Sequence, residues 1–147
     1  MEYSYQFSHA IVRKPAKSIN NGLRAVDIGK PNYDQMMLDH SDYVDALISA
    51  GAQIVELSPL EKYPDAQFVE DTALCLPEGV ILMRPGAPSR LGEVEEIALK
   101  LRDLFKKVYK IDEPGHVEGG DILVTGRKSL SGVPQELTKA GLASFQK

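Results

Sequence analysis

Cysteine is almost missing from this chain. Cys75 is the single one in 147 residues, and tryptophan is absent. One cysteine can neither close an internal disulfide nor build a multi-cysteine zinc site, so no such staple is available to the fold. Long hydrophobic runs are missing too: nothing approaches the roughly 20 apolar residues that cross a bilayer, and no secretory apolar segment follows Met1. A cytoplasmic chain without membrane contact is the expectation. Basic excess is also lacking, because 17 Lys and Arg stand against 21 Asp and Glu, a net charge of -4. That balance repels polyanions, so nucleic acid is not an expected partner. What remains is globular in character, with 43% hydrophobic and 26% charged residues. A single domain over 1–147 of this size buries about 68–70% of its unfolded surface and needs no staple.

Apolar periodicity orders the chain. A strand is expected over Phe7–Arg13, closed by Pro15, and then a polar loop from Lys17 to Lys30, long enough to serve as a flap. Pro31 and Asn32 open a helix to about Ala50, with Tyr33, Met36, Met37, Tyr43, Val44 and Leu47 recurring at helical steps. Gly51 ends it, and Gln53–Leu57 reads as a buried strand. Thr72–Leu76 and Val80–Arg84 flank Pro77-Glu78-Gly79, which is hairpin chemistry. From Ser89 to Lys107 a second helix has Leu91, Val94, Ala98, Leu101 and Phe105 on one face. Glu93, Glu95 and Glu96 crowd its start and Lys106 and Lys107 its end, as the macrodipole favours. Val108–Ile111 is the next strand. Val117–Thr125 then opens another hairpin, turning at Gly126-Arg127-Lys128, before an amphipathic stretch with Leu137, Gly141 and Phe145.

The order suggests a repeated unit. Phe68-Val69-Glu70-Asp71-Thr72 and His116-Val117-Glu118-Gly119-Gly120-Asp121 occupy equivalent places, each putting an acidic pair at the mouth of a strand. Stacked ββαβ-like modules are expected, because one such unit cannot bury both faces of its small sheet. The repeat brings Asp65, Glu70, Asp71, Glu118 and Asp121 to one end of the fold. Clustered carboxylates repel, so a cation or an acid/base task has to compensate them. A guanidinium suits, being always charged and carrying five N–H donors in a fixed fork. Spacing alone fits an ordinary solvated rim equally well, whereas the dense oxygen alternation of a calcium loop is not there.

Three ordered segments carry a family resemblance: Asp65 to Thr72, Arg84-Pro85-Gly86-Ala87-Pro88-Ser89-Arg90 with Glu93, and Val117-Glu118-Gly119-Gly120-Asp121-Ile122-Leu123. Together with Gly22-Leu23 and Gly29-Lys30-Pro31, they resemble the dimethylarginine dimethylaminohydrolases of the guanidino-group-modifying superfamily, which includes arginine deiminase. The resemblance runs from about Phe7 to Gly126. It implies an α/β fold of pentein type, a propeller of ββαβ modules of which this chain forms about half. It also implies a hydrolase that turns Nω-methylated arginine into citrulline and a methylamine without cofactor or metal. In that chemistry a cysteine thiolate attacks the guanidinium carbon, a histidine handles protons and carboxylates hold the planar group. By motif position Glu118 is the implied catalytic carboxylate, and Leu23, Asp65, Glu70, Asp71 and Arg90 are implied to bind substrate.

Two features depart from that pattern. The family's histidine and cysteine come late in its chain, so this sequence, running to Lys147, is expected to be the N-terminal portion, inactive alone and prone to self-association or to pairing with a C-terminal half. Where the family has a substrate-binding arginine, Glu136 stands instead. A non-catalytic guanidinium-binding module or a deiminase-like relative is the alternative reading. Cys75 lies in an apolar strand and reads as a small buried core thiol. His40 shares the apolar helix face and reads as packed, His9 reads as a surface or edge residue, and His116, two residues before Glu118, is open to either role.

Overall fold

The computed structural model describes residues 7–124 and the short strand 129–131. Among them the chain forms two compact units, Gln6–Val69 and one that begins at Glu70.

In the first unit, strand β1 (His9–Arg13) lies parallel to β2 (Gln53–Leu57), His9 facing Gln53 and Arg13 facing Leu57. Helix α1 (Tyr33–Ser49) is the crossover between them. Its start is fixed by Asn32, whose side chain accepts the Gln35 N–H at 3.0 Å, and its end by Gly51 at φ 93°, a left-handed turn that favours glycine. The expected helix and most of its face are borne out: Tyr33, Met36, Met37, Val44 and Leu47 are half-buried together with His40, while Tyr43 is exposed. No α1 residue is fully buried, because a two-stranded sheet covers only a narrow stripe of a helix. The buried apolar residues of the unit are instead Val12, Pro15, Ala16, Ile19 and Ala66. Ile19 sits in a 3-10 turn, Lys17–Asn21, so the expected loop is ordered over its first residues. Both Glu61 carboxylate oxygens tie that turn down, accepting the Lys17 and Ser18 N–H groups at 3.0 Å each. Phe7 stays exposed and outside β1.

The second unit contains one complete ββαβ module. Strands β3 (Ala73–Leu76) and β4 (Gly79–Leu82) form the expected antiparallel hairpin, and β5 (Val108–Lys110) runs parallel to β4 after helix α2 (Leu91–Leu104). The central strand is the most deeply buried, with Val80 and Leu82 sealed under Val94, Ile97, Ala98 and Leu101 of α2. Burying a side chain of this size contributes roughly 1.5–3 kcal/mol. The α2 face is as expected, with Ile97 added, although the helix stops at Leu104 and Phe105 turns extended. Glycine is required at Gly79, where a Cβ would lie 2.7 Å from the Lys107 carbonyl oxygen. A further cluster joins Met83, Ile111 and Val117 with Leu74, Ile81 and Ile122.

The second hairpin is shorter than expected. Val117 makes only a bridge to Arg84, a 3-10 turn over Gly119–Asp121 follows, and strand β6 (Ile122–Val124) pairs with β7 (Ser129–Ser131). A 3-10 turn, Val69–Thr72, likewise precedes β3, so both acidic pairs sit on tight turns feeding strands. The turn expected at Gly126-Arg127-Lys128 and the stretch with Leu137, Gly141 and Phe145 lie outside the described residues, as does Glu136. Cys75 is not in the core: the strand alternation that turns Leu74 inward leaves it exposed.

Burial lowers the His40 pKa from its ordinary 6.5, an effect that Glu56 partly opposes and Lys14 assists. The folded chain therefore prefers neutral imidazole, whereas the unfolded chain takes up a proton near 6.5. Stability linked to His40 is complete above that value and is lost as pH falls below it. Thermal melts should show the loss between about pH 7 and pH 5, and His40→Gln should flatten that part of the profile. An unchanged profile in the variant would contradict this assignment.

Candidate active site

The turn that carries Glu70 and Asp71 and the turn that follows Glu118 come together in the second unit through backbone geometry. Gly119 lies so close to the Glu70 carbonyl that an added Cβ would collide with it, and that Cβ would also stand 3.4 Å from the Asp71 Cα. At Gly120 a Cβ would stand 3.9 Å from Asp71 Oδ1. The two acidic turns are thus in direct apposition, and missing side chains make the room.

Glu118 is held from two directions. Its Oε1 accepts the Gly86 N–H at 3.0 Å, and its own N–H donates to Asp121 Oδ2 at 3.0 Å. Gly86 is in reach because Arg84 and Val117 exchange two backbone hydrogen bonds, 3.1 and 2.9 Å long. Around this bridge the Arg84 guanidinium reaches Glu113 Oε1 at 2.6 Å and lies against the His116 ring, while His116 Nδ1 is 3.1 Å from the Pro85 carbonyl. His116 therefore faces the Arg84–Pro85 segment.

Arg90 is the best-anchored cation in the unit. Its side chain is 8% exposed, with Nη1 donating to Asp71 Oδ2 at 2.7 Å and Nη2 to Glu93 Oε2 at 2.9 Å. The Nε–H also donates to Glu93 Oε2, at 3.1 Å. Burial works against the charge, but hydrogen bonds and charges from Glu93 and Asp71 outweigh it and hold Arg90 above its ordinary pKa. Glu93 was not among the residues expected here. In the sequence it is one of three glutamates at a helix start. The signals that single it out are its three-residue step from Arg90 and its place beside Val94 on the buried face.

Asp65 and Leu23 meet in the first unit. Asp65 is buried, and its two carboxylate oxygens accept the Leu23 N–H at 3.1 and 3.2 Å. Gly22 has no alternative there, since a Cβ would lie 2.6 Å from Asp65 Oδ1. The following segment is shaped by Arg24, which donates to the carbonyls of Asn20 and Gly29 at 3.0 and 2.6 Å. Leu23, Val26 and Ile28 are left exposed.

Cys75 differs from these groups. It is exposed at its strand edge, yet neighbouring protein covers it enough that desolvation raises its thiol pKa. A raised pKa means less thiolate at neutral pH, the opposite of an activated nucleophile. Among the described residues no three His, Cys, Asp or Glu side chains are grouped to hold a metal ion, and no helix is long and apolar enough to cross a membrane.

Known proteins are similar to this chain in sequence and in fold. No family model matches the chain. It is 42% identical over 121 residues to the N(G),N(G)-dimethylarginine dimethylaminohydrolase of Pseudomonas aeruginosa, an alignment covering 82% of this chain and 48% of that protein. With the protein of the same description in Streptomyces coelicolor it shares 32% over 138 residues, covering 93% of this chain and 54% of that one. A crystal structure of the Pseudomonas protein, a cysteine-to-serine mutant complexed with citrulline, superposes with TM-score 0.90 at 37% identity, over 96% of this chain and 56% of that one. The N-terminal domain of a cyanobacterial arginine dihydrolase, bound to product, shares the fold with TM-score 0.64 at 19% identity, over 77% of this chain and 43% of that one. The chain spans about half the length of the curated relatives it matches.

The apposed turns make a direct prediction. Gly119→Ala should cost about 1–3 kcal/mol of stability by overpacking against the Glu70 backbone. Gly86→Ala keeps its N–H, meets nothing within 4 Å, and should be nearly neutral. Urea unfolding of the two variants reads the difference, and equal midpoints would contradict the close approach.

Proposed function

From the homology of this chain to the dimethylarginine dimethylaminohydrolases, about half of whose length it matches, we propose that it carries the carboxylate side of an amidine hydrolase. The substrate is an Nω-methylated arginine, and the products are citrulline and dimethylamine. Glu118 is the catalytic carboxylate. Glu70 and Asp71 hold the guanidinium nitrogens by charge-assisted hydrogen bonds, and Arg90, beside Asp71, supplies positive charge for the ligand's carboxylate end. Asp65 and Leu23, which are hydrogen-bonded to each other within the first unit, are proposed by their motif positions to bind substrate as well. The observation that supports this reading is the apposition of the Glu70–Asp71 and Gly119–Gly120 turns; a planar cation would relieve the repulsion among carboxylates carried on two such turns.

The reaction also needs a thiolate to attack the guanidinium carbon and a histidine to move protons. Cys75, with its raised pKa, is not proposed for the first task, nor is His116 for the second. Neither task is assigned to a residue of this chain. The fold is proposed to be a partial pentein propeller, one domain over 1–147. Its module of β3, β4, α2 and β5 supports that reading, and the open strand edges that a partial ring would have favour self-association or pairing with a complementary half. A cytoplasmic setting accompanies it. Cys75 also favours the second reading, a binding module without catalysis, for this chain alone.

Calorimetry with dimethylarginine tests the carboxylates. A charge-assisted hydrogen bond contributes about 1.5–3 kcal/mol, so Glu70→Gln or Asp71→Asn should weaken binding roughly ten- to a hundredfold. Glu95→Gln, on the exposed face of α2, should change little, because that carboxylate pairs with Lys110 at 2.5 Å. Absence of any binding reduces the cluster to a charged rim.

A second assay follows product. The purified chain alone should release no citrulline above the buffer rate, since carboxylates bind but do not attack. Release that disappears in Cys75→Ser would overturn the exclusion of Cys75 as the nucleophile.

A further inference from the structure

We propose that Glu93 is a positioning residue of this site: it locks the Arg90 guanidinium in one rotation, and the locked fork holds the Asp71 carboxylate in one orientation. The proposal deepens the reading above, in which Asp71 grips the substrate's guanidinium.

Arg90 meets its two carboxylates along different edges. Nε and Nη2 both point at Glu93 Oε2, at 3.1 and 2.9 Å, so Glu93 occupies one edge of the fork. Nη1 remains to meet Asp71 Oδ2 at 2.7 Å. Turning the guanidinium about its Nε–Cζ bond would break the Nη2 bond to Glu93 and carry Nη1 away from Asp71 together.

The lock is rigid because both of its parts belong to one piece of structure. Arg90 ends the 3-10 turn Pro88–Arg90, its own N–H bonded to the Ala87 carbonyl at 3.0 Å. Glu93 lies in the first turn of α2, next to the sealed residues Val94 and Ile97. Asp71 belongs to another segment, 19 residues away in the chain. A hydrogen bond across that distance fixes it only if the donor is itself immobile.

Burial makes the arrangement asymmetric. The Glu93 side chain is 2% exposed and the Asp71 side chain 20%. Glu93 has almost no access to water and is committed to Arg90, whereas Asp71 keeps a face toward solvent from which a ligand can approach. The more exposed partner, Asp71, is the one an incoming cation can meet.

Side-chain nitrogen NMR on the 15N-labelled chain reads the lock without any ligand. In the native protein Arg90 should show a slowly exchanging Nε–H and two separate Nη nitrogen signals, the mark of blocked rotation. Glu93→Gln should merge the Nη signals and speed Nε–H exchange about tenfold, since a neutral amide is the weaker partner. Asp71→Asn should leave the Nη signals separate, because Glu93 alone suffices to block rotation. Separate signals in Glu93→Gln, or merged signals in Asp71→Asn, would overturn the proposal. If Glu93→Gln does not fold, the Asp71→Asn spectrum decides.

A binding arm connects the lock to the site. Dimethylarginine affinity should fall about tenfold in Glu93→Gln, and unchanged affinity in a variant whose Nη signals have merged would also overturn the proposal. Native chain that binds no dimethylarginine contradicts the proposed function instead, and the nitrogen spectra still decide the lock.

Discussion

The Arg90 guanidinium, nearly sealed from water between Asp71 and Glu93, is the interaction on which the site depends. Removing one partner from a buried ion pair typically costs 3–5 kcal/mol, because the charge left behind has neither water nor counter-ion. The Arg90–Glu93 half of this triad is local, spanning one turn at the start of α2, and the Asp71 half is long-range. One cation therefore ties the entry of α2 to the turn that feeds β3.

The second constraint is space. Carboxylates on two turns can face one ligand only if their backbones approach closely, and here the approach is set by Gly119 against the Glu70 carbonyl. Glu118 is then fixed by the Gly86 N–H rather than by another side chain. The first unit applies the same device separately, with Gly22 against Asp65 and the Leu23 N–H bonded to that carboxylate. In both units a glycine permits contact and a backbone N–H orients an acid.

Periodicity made the helices and the hairpin legible. Val94, Ala98 and Leu101 bury as their spacing requires, and Asn32 and Gly51 bound α1 as caps. The acidic motifs were legible as residues but not as turns. Glu118-Gly119-Gly120-Asp121 reads as the start of a strand by composition, and only the close approach to Glu70 shows why it winds into a 3-10 turn. Tyr43 and Cys75 were misjudged for a common reason. An apolar neighbourhood in sequence does not reveal how much of a face a small sheet can cover, and β3 alternates Cys75 outward. Glu93 was hidden among like residues, and its commitment to Arg90 emerges only once the three-residue step and the buried face coincide.

The central claim is that Glu70, Asp71 and Glu118 form one guanidinium-binding set. Carboxyl-carbon NMR during a titration with dimethylarginine measures it most directly, because each Asp and Glu reports separately. The account predicts that signals from these three residues move together along one saturating curve while Glu95 and Glu113 stay fixed. Shifts spread evenly over exposed carboxylates, or no shift in any of the three, would contradict it.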